Sequence, residues 1–156
     1  MNLILQEDQM APSFSAMSQD GKKISLDDLK GQWVVLYFYP RDDTPGCTKE
    51  ACGFRDSWEK IQETGAVVLG VSPDSVESHG KFARKFKLPF SLLADVDKKM
   101  VQDYGVWGEK KFMGRKYMGV HRTTFLINPQ GKIQKIWREV KPAEHPAEVL
   151  AELQKV

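Results

Sequence analysis

Two cysteines, Cys47 and Cys52, are the residues of this chain best suited to chemistry. Cys47 follows Thr44-Pro45-Gly46, behind the apolar run Trp33–Tyr39, where a buried strand is expected to turn into a helix. The start of a helix carries unpaired N–H groups and about half a unit of positive charge, which favour a thiolate over a thiol. The position predicts a nucleophilic cysteine, although the spacing alone is equally compatible with an inert, buried thiol.

The spacing of the two cysteines restricts any bond between them. In an ideal helix their Cα atoms would lie roughly 8 to 9 Å apart. A disulfide normally requires Cα atoms within about 7 Å of each other. A bond between Cys47 and Cys52 would therefore require the first turns of the helix to unwind. Gly46 and Gly53 would make this easier, because glycine weakens a helix by about 1 kcal/mol relative to alanine.

Other uses of these thiols fit the sequence less well. A structural zinc site needs four clustered ligands, and the chain offers this pair and three scattered histidines, His79, His121 and His145. A dithiol exchanger of the thioredoxin type normally has two residues between its cysteines, whereas four separate them here. Taken alone, Thr44 would be interpreted as a helix cap and Arg122 as a surface cation.

Strands and helices that alternate along the chain would position these residues. Buried strands are predicted at 33–39, 67–72 and 91–93. Amphipathic helices are predicted at 45–64, 74–86 and 146–156. Two hairpins are expected, an N-terminal one with strands at 10–15 and 23–26 and another over 122–137. A short helix capped by Asp97 and a glycine-punctuated loop or hairpin at 105–119 lie between these elements. This order predicts an α/β fold with a central mixed sheet and helices on both faces.

The composition restricts the class of protein. The 156 residues are 41% hydrophobic and 28% charged, which is typical of one globular domain, here spanning 1–156. The net charge of +2 gives no reason to expect a nucleic-acid or membrane partner, and the basic segment 110–116 is interpreted as a solvated loop. The longest apolar run, 33–39, is too short to span a bilayer. The first residues lack the features of a secretory signal, so a cytoplasmic location is expected.

The residues around Cys47 resemble those of a known family. The segment Pro40-Arg41-Asp42-Asp43-Thr44-Pro45-Gly46-Cys47 matches the P-x-x-x-T-x-x-C signature of peroxiredoxins. The segment 44–48, followed by Cys52, closely resembles the bacterioferritin comigratory protein, or peroxiredoxin Q, subfamily. Segments at 104–110, 112–114 and 122–127 are similar to the same subfamily. The resemblance therefore covers nearly the whole chain from Ala11 to the last helix.

This resemblance implies a fold, an activity and partners. The fold would be thioredoxin-like with an extra N-terminal hairpin. The activity would be thiol-dependent reduction of hydrogen peroxide and organic hydroperoxides, without a metal or organic cofactor. Thioredoxin or a similar dithiol would supply the electrons.

The resemblance also implies the roles of the two sulfur atoms. Cys47 matches the peroxidatic cysteine, and Cys52 matches the resolving cysteine of those members that carry it in the same helix. Other members place the resolving cysteine on the next helix, where this chain has Phe82-Ala83-Arg84, or near the C-terminus, where it has no cysteine. An intramolecular Cys47–Cys52 disulfide is therefore expected, which is compatible with a monomer.

Four further groups are implied to assist the peroxidatic sulfur. Thr44 matches the hydroxyl that hydrogen-bonds the peroxide, Pro40 the residue that shields the site, and Arg122 the cation near the thiolate. The backbone N–H groups of Gly46 and Cys47 would point at the peroxide. Two other functions stay open: a thioredoxin-like protein disulfide oxidoreductase, and a non-catalytic interaction module with buried thiols.

Overall fold

The computed structural model describes residues 4–156 and contains a seven-stranded mixed sheet with the order β2-β1-β5-β4-β3-β8-β9. Two further strands, β6 and β7, form a separate antiparallel hairpin. The strands are β1 (Ser15–Ser18), β2 (Lys23–Ser25), β3 (Val34–Phe38), β4 (Val67–Ser72), β5 (Ser91–Ala94), β6 (Trp107–Phe112), β7 (Arg115–Val120), β8 (Thr123–Ile127) and β9 (Ile133–Trp137). The helices are a 3₁₀ turn (Leu26–Leu29), α1 (Pro45–Asp56), α2 (Trp58–Glu63), α3 (Val76–Phe86), α4 (Lys99–Asp103) and α5 (His145–Lys155).

Strand β3 lies at the centre of the molecule, as its apolar run predicts. All five of its residues are buried, and it pairs in parallel with β4 and antiparallel with β8. Leu36 and Phe38 pack into the core on one face of the sheet, whereas Val35 and Tyr37 pack into the core on the other face. This alternation confirms the prediction of a mixed sheet covered on both faces.

The N-terminal hairpin is present, but its first strand begins later than predicted. Strand β1 pairs Ser15 with Ser25 and Met17 with Lys23, so the pairing starts where the predicted strand 10–15 ends. The preceding residues bond elsewhere: Met10 forms a bridge with Lys132, beside β9. The turn lies where predicted.

The predicted helix over 45–64 is two helices, so that prediction is wrong in one respect. Ser57 separates α1 from α2 and has φ −95° and ψ 5°, outside the helical region. Hydrogen bonds from Ser57 N–H to Gly53 and from Ile61 N–H to Ser57 continue across the break. The apolar stripe therefore stays on one side, and Gly65, with φ +78°, follows the end of α2 as expected.

Three other details refine the expected elements. Helix α3 buries His79, Phe82 and Ala83, whereas its apolar end residues Val76 and Phe86 are only half-buried. The short helix α4 has two carboxylates at its N-terminus: Asp97, as predicted, accepts a hydrogen bond of 3.2 Å from the N–H of Lys99, and the buried Asp95 accepts from the N–H groups of residues 100 and 101. The segment 105–119 forms a hairpin rather than a loop.

Within residues 4–156, no helix has the length and hydrophobicity to cross a bilayer.

Candidate functional site

Cys47 is the third residue of α1, and it lies immediately beyond the buried end of β3. Pro45 occupies the first turn, where its missing N–H costs nothing. The N–H of Thr48 is the first to bond back, at 2.8 Å from the carbonyl oxygen of Thr44. The N–H groups of Gly46 and Cys47 precede it and have no intrahelical acceptor, so they are available to an anion or a polar ligand. Cys47 itself is only 1% exposed.

Arg122 provides the cation beside this sulfur. It lies in the loop immediately before β8, and its Nη2 is 3.4 Å from the Sγ of Cys47. A Cβ atom on residue 46 would lie 3.1 Å from the same nitrogen, so Gly46 leaves room for the guanidinium. Burial alone would lower the pKa of Arg122, but the attraction of Cys47 and Glu50 outweighs it and raises the pKa. The guanidinium therefore keeps its charge in this half-buried position.

Glu50 completes the polar centre, although the sequence reasoning did not identify it. Its Oε1 accepts a hydrogen bond of 2.9 Å from Nη1 of Arg122, and its side chain is fully buried. Burial raises the pKa of Glu50 to about 7, against a smaller lowering effect of Arg122. Within residues 4–156, Oε2 of Glu50 and the hydroxyl of Tyr37 are buried without a hydrogen-bond partner. The sequence feature that could have identified Glu50 is its position, one helical turn after Cys47 on the same face of the predicted helix.

Thr44 and Pro40 lie in the segment that leads from β3 into α1. Thr44 is the residue before the helix, but its hydroxyl makes no capping bond and instead donates to the carbonyl oxygen of Arg41 at 3.1 Å. The lone pairs of that hydroxyl therefore remain available to a ligand. Pro40 is half-buried directly after Tyr39.

Cys52 lies on the same helix as Cys47 and is half-buried, so it is the more accessible thiol. Helix α1 is continuous from Pro45 to Asp56, so the ideal-helix separation of roughly 8 to 9 Å applies to these two residues. Both cysteines are free thiols in this structure. The next residue, Gly53, contacts Pro146 of α5 so closely that a Cβ atom would lie 2.6 Å from the proline ring.

A second cation that the sequence reasoning missed lies near the sulfur. Lys110 of β6 donates a hydrogen bond of 3.0 Å to the carbonyl oxygen of Val120, close to Arg122 in the chain. Burial lowers the pKa of Lys110, repulsion by Arg122 lowers it further, and attraction by Cys47 opposes both. The base of the β6–β7 hairpin therefore adds positive potential to the site.

One group of side chains has donors suited to a metal ion. Asp42, Asp74 and His79 each bring a ligand atom within 4.8 Å of the others. However, these atoms already take part in hydrogen bonds to protein donors and acceptors. Asp42, Asp74 and His79 therefore form a hydrogen-bond network at the segment between β3 and α1.

The arrangement around Cys47 favours a sulfur nucleophile. The guanidinium of Arg122 contacts the sulfur of Cys47, and the chain immediately around Cys47 provides two first-turn N–H groups and the hydroxyl of Thr44. The same donors can stabilise negative charge that develops on an atom attacked by the sulfur.

Comparison with known proteins gives a consistent result. The AhpC/TSA family model matches residues 8–136. A protein from Coxiella burnetii named putative peroxiredoxin bcp is 53% identical over 145 residues, which cover 93% of this chain and 96% of that protein. Peroxiredoxin Bcp from Bacillus subtilis is 51% identical over 145 residues, covering 93% and 92%.

Solved structures agree with these relatives. A Xanthomonas campestris peroxiredoxin Q superposes with a TM-score of 0.86 at 39% identity and covers 91% of this chain and 90% of its own. The bacterioferritin comigratory protein of the same organism, studied for its alkyl peroxide reduction activity in trapped intermediate and ligand complexes, gives 0.86 at 38% identity over the same shares. The expected thioredoxin-like fold is therefore confirmed.

Proposed function

This chain belongs to the AhpC/TSA family, within its Bcp or peroxiredoxin Q group, and from that premise we propose that Cys47 and Cys52 form the redox centre of a thiol peroxidase. The thiol peroxidase activity itself follows from the family. The assignment of the individual residues rests on the contacts described above. The observation that supports it best is the hydrogen bond of 3.4 Å between Arg122 and the buried Cys47 sulfur.

The first step is attack of the Cys47 thiolate on the terminal oxygen of a hydroperoxide. The S–O bond forms as the O–O bond breaks, and the departing oxygen takes a proton to become water or an alcohol. Sulfur is oxidised to sulfenic acid while the peroxide is reduced. Arg122, the N–H groups of Gly46 and Cys47, and the Thr44 hydroxyl would orient the peroxide and stabilise the departing oxygen. Pro40, which is half-buried and precedes Thr44 by four residues, would limit the access of water.

The second step joins the two sulfur atoms. The Cys52 thiolate attacks the Cys47 sulfenic acid, the S–S bond forms, and hydroxide leaves and is protonated to water. The helical separation of the two residues prevents this step while α1 is intact. The first turns of α1 must therefore unwind after each peroxide reduction, and this carries Cys47 out of its buried position.

The third step returns the enzyme to its reduced form. A dithiol attacks the exposed Cys47–Cys52 disulfide and leaves both cysteines as thiols while it becomes a disulfide itself. Thioredoxin or a similar dithiol protein is the reductant we propose. Because all sulfur chemistry takes place within one helix, we also propose that the single domain works as a monomer in the reducing cytoplasm.

The experiment is peroxide consumption by the purified protein with thioredoxin, thioredoxin reductase and NADPH. Wild-type protein should turn over continuously, and Cys47→Ser should be inactive because the attacking sulfur is gone. Cys52→Ser should reduce about one peroxide per chain and then stop as the sulfenic acid, detected by a sulfenic-acid trap and mass spectrometry.

Two results would overturn this assignment. Sustained thioredoxin-driven turnover by Cys52→Ser would show that Cys52 does not resolve the sulfenic acid. Faster reaction of the wild type with a protein disulfide than with a hydroperoxide would favour a general disulfide oxidoreductase.

A further inference from the structure

The carboxylate of Asp42 bonds the segment that leads into α1 to the neighbouring helix α3. We call residues 39–44 the active-site loop, because they end at Thr44, directly before α1. Oδ1 of Asp42 accepts a hydrogen bond of 2.6 Å from the hydroxyl of Tyr39, and Oδ2 accepts one of 2.7 Å from the hydroxyl of Ser78. The peroxide chemistry described above uses none of these groups.

His79 of α3 is a further partner of this carboxylate. Its Nδ1 is 2.7 Å from Oδ2 of Asp42, and its Nε2 is 2.9 Å from the carbonyl oxygen of Leu93. Because a carbonyl oxygen only accepts, Nε2 is the donor to Leu93, and Nδ1 faces the carboxylate of Asp42. The histidine side chain is 0% exposed and the aspartate side chain 5%. In such a dry environment a hydrogen bond within this pair is strong, and loss of one partner is costly.

The main chain of the active-site loop is held as well. The N–H of Asp42 donates to Oδ2 of Asp74 at 2.8 Å, and the same oxygen accepts from Ser72 at the end of β4 at 2.6 Å. Asp43 adds an exposed ion pair of 2.7 Å with Lys85. The backbone and the side chains of the active-site loop therefore both bond to β4 and α3. Asp42, which makes most of these bonds, lies five residues before the reactive sulfur of Cys47.

We propose that Asp42 and His79 are positioning residues, a latch that holds the active-site loop in the reduced enzyme and opens when Cys47 bonds to Cys52. This inference rests on the proposed function, because it needs the unwinding of α1. Residues 45–47 must leave their helical path for the disulfide to form. The active-site loop is the only connection between that path and the fixed end of β3, so its displacement separates Asp42 from His79.

The latch has a thermodynamic consequence. A contact present in the reduced form and absent in the oxidised form stabilises only the reduced form, and so makes the disulfide easier to reduce. Removal of the latch should favour the disulfide by about tenfold in the equilibrium constant, or about 30 mV toward more negative potential for a two-electron couple.

The test is a redox titration against dithiothreitol and its cyclic disulfide, followed by alkylation of free thiols and mass spectrometry. In this equilibrium the Cys47–Cys52 bond is reduced to two thiols while dithiothreitol is oxidised to its ring. The proteins are wild type, Asp42→Ala and His79→Gln, with Ser78→Ala as a milder change that keeps the central pair. Urea unfolding of each protein in both redox forms accompanies the titration.

The control is Asp95→Ala. This change removes another buried carboxylate, whose hydrogen-bond partners are backbone N–H groups of α4. Asp95 accepts hydrogen bonds from the N–H groups of Met100 and Val101, far along the chain from the active-site loop. This variant should destabilise the reduced and oxidised forms equally and leave the potential unchanged. Latch variants should destabilise the reduced form alone.

The outcomes separate the latch from the proposed function. A more negative potential for Asp42→Ala and His79→Gln, with a smaller shift for Ser78→Ala, supports the latch. If the wild type forms the Cys47–Cys52 disulfide but these variants keep its potential, or lose stability equally in both forms, the latch is wrong and the proposed function stands. If the wild type forms no such disulfide, the proposed function fails first. Should the two strong variants not fold, the Ser78→Ala shift decides between these results.

Discussion

At the scale of the residue, Arg122 connects two buried side chains, the thiol of Cys47 and the carboxylate of Glu50. One nitrogen of its guanidinium faces the sulfur of Cys47, and another holds the carboxylate of Glu50. The planar, forked guanidinium can make both bonds at once, whereas the ammonium of lysine is a point charge. Substitution of the cation alone therefore separates geometry from charge.

We expect Arg122→Lys to lower the second-order rate constant for hydroperoxide by about 100-fold, the usual effect of losing one donor that stabilises a developing oxyanion. Stopped-flow measurement of sulfenic-acid formation gives this constant directly. Arg55→Lys is the matched control, because Arg55 lies on α1 with Cys47 and, among residues 4–156, hydrogen-bonds only to the carbonyl oxygen of Phe86 and to Asp56. An equal loss in both variants would contradict a specific role of Arg122.

Glu50 should make the stability of the reduced enzyme depend on pH. Its pKa is raised from 4.5 to about 7 in the folded protein, because burial disfavours the charged carboxylate. The folded state therefore binds the proton more tightly than the unfolded chain, so this stabilising effect is complete below pH 4.5 and is lost as the pH rises through 7. The loss amounts to about 3 kcal/mol.

Glu50→Gln should remove this dependence while its amide oxygen still accepts from Arg122. The difference in unfolding free energy between wild type and variant, from urea titrations at pH values about 4 and 8, should change by about 3 kcal/mol in favour of the variant at the higher pH. Glu59→Gln, at an exposed position of α2, controls for the general effect of removing one carboxylate. A difference that stays constant with pH would show that folding does not raise the pKa of Glu50.

The sequence predicted some of these residues and could not predict others. Cys47, Thr44 and Arg122 belong to local motifs, and the structure brings Cys47 and Arg122 into contact across 75 positions. Glu50 escaped notice because its meaning depends on burial beside Arg122, which only the tertiary structure shows. His79 looked like a scattered histidine because its partner, Asp42, lies 37 positions away.

At the scale of the element, the two halves of α1 are held by different forces. The second half is anchored by packing: Phe54 is fully buried, and Gly53 lies against Pro146 of α5. The first half is held by polar contacts, chiefly those of Arg122 with Cys47 and Glu50. Unwinding should therefore be confined to the first turns.

Oxidation should lower the helical signal in far-UV circular dichroism. Wild-type protein treated with one equivalent of hydroperoxide should lose the contribution of the first turns of α1, because the disulfide is incompatible with the helix. Cys52→Ser is the matched control, since it forms sulfenic acid without a disulfide and should keep its signal. An unchanged spectrum of the oxidised wild type would contradict the unwinding.

The patterns in the sequence predicted the existence of elements better than their limits. The bounds of β4 were predicted residue for residue, because its apolar run begins shortly after Gly65 and ends at Ser72, directly before Pro73. The break at Ser57 was not predictable, because the apolar stripe and the backbone hydrogen bonds continue past it. The late start of β1 depends on long-range pairing of the preceding segment with β9 and its turn.

At the scale of the whole molecule, the sheet topology brings the site together. Strand β3 pairs antiparallel with β8 so that Phe38 lies opposite Thr123. The end of β3, which leads to Cys47, therefore lies beside the start of β8, which follows Arg122. Helix α3 follows β4, the other neighbour of β3, and supplies His79 to the active-site loop. The topology of the sheet thus brings together the chain segments that carry Cys47, Arg122 and His79.

The most direct test of the account is the identity of the bond formed after one peroxide reduction. Reduced protein treated with one equivalent of hydroperoxide, then alkylated, digested and mapped by mass spectrometry, should yield peptides linked by a Cys47–Cys52 disulfide within one chain. The rate of its formation should not depend on protein concentration. Two free thiols after peroxide is consumed, or a disulfide between two chains, would contradict the account.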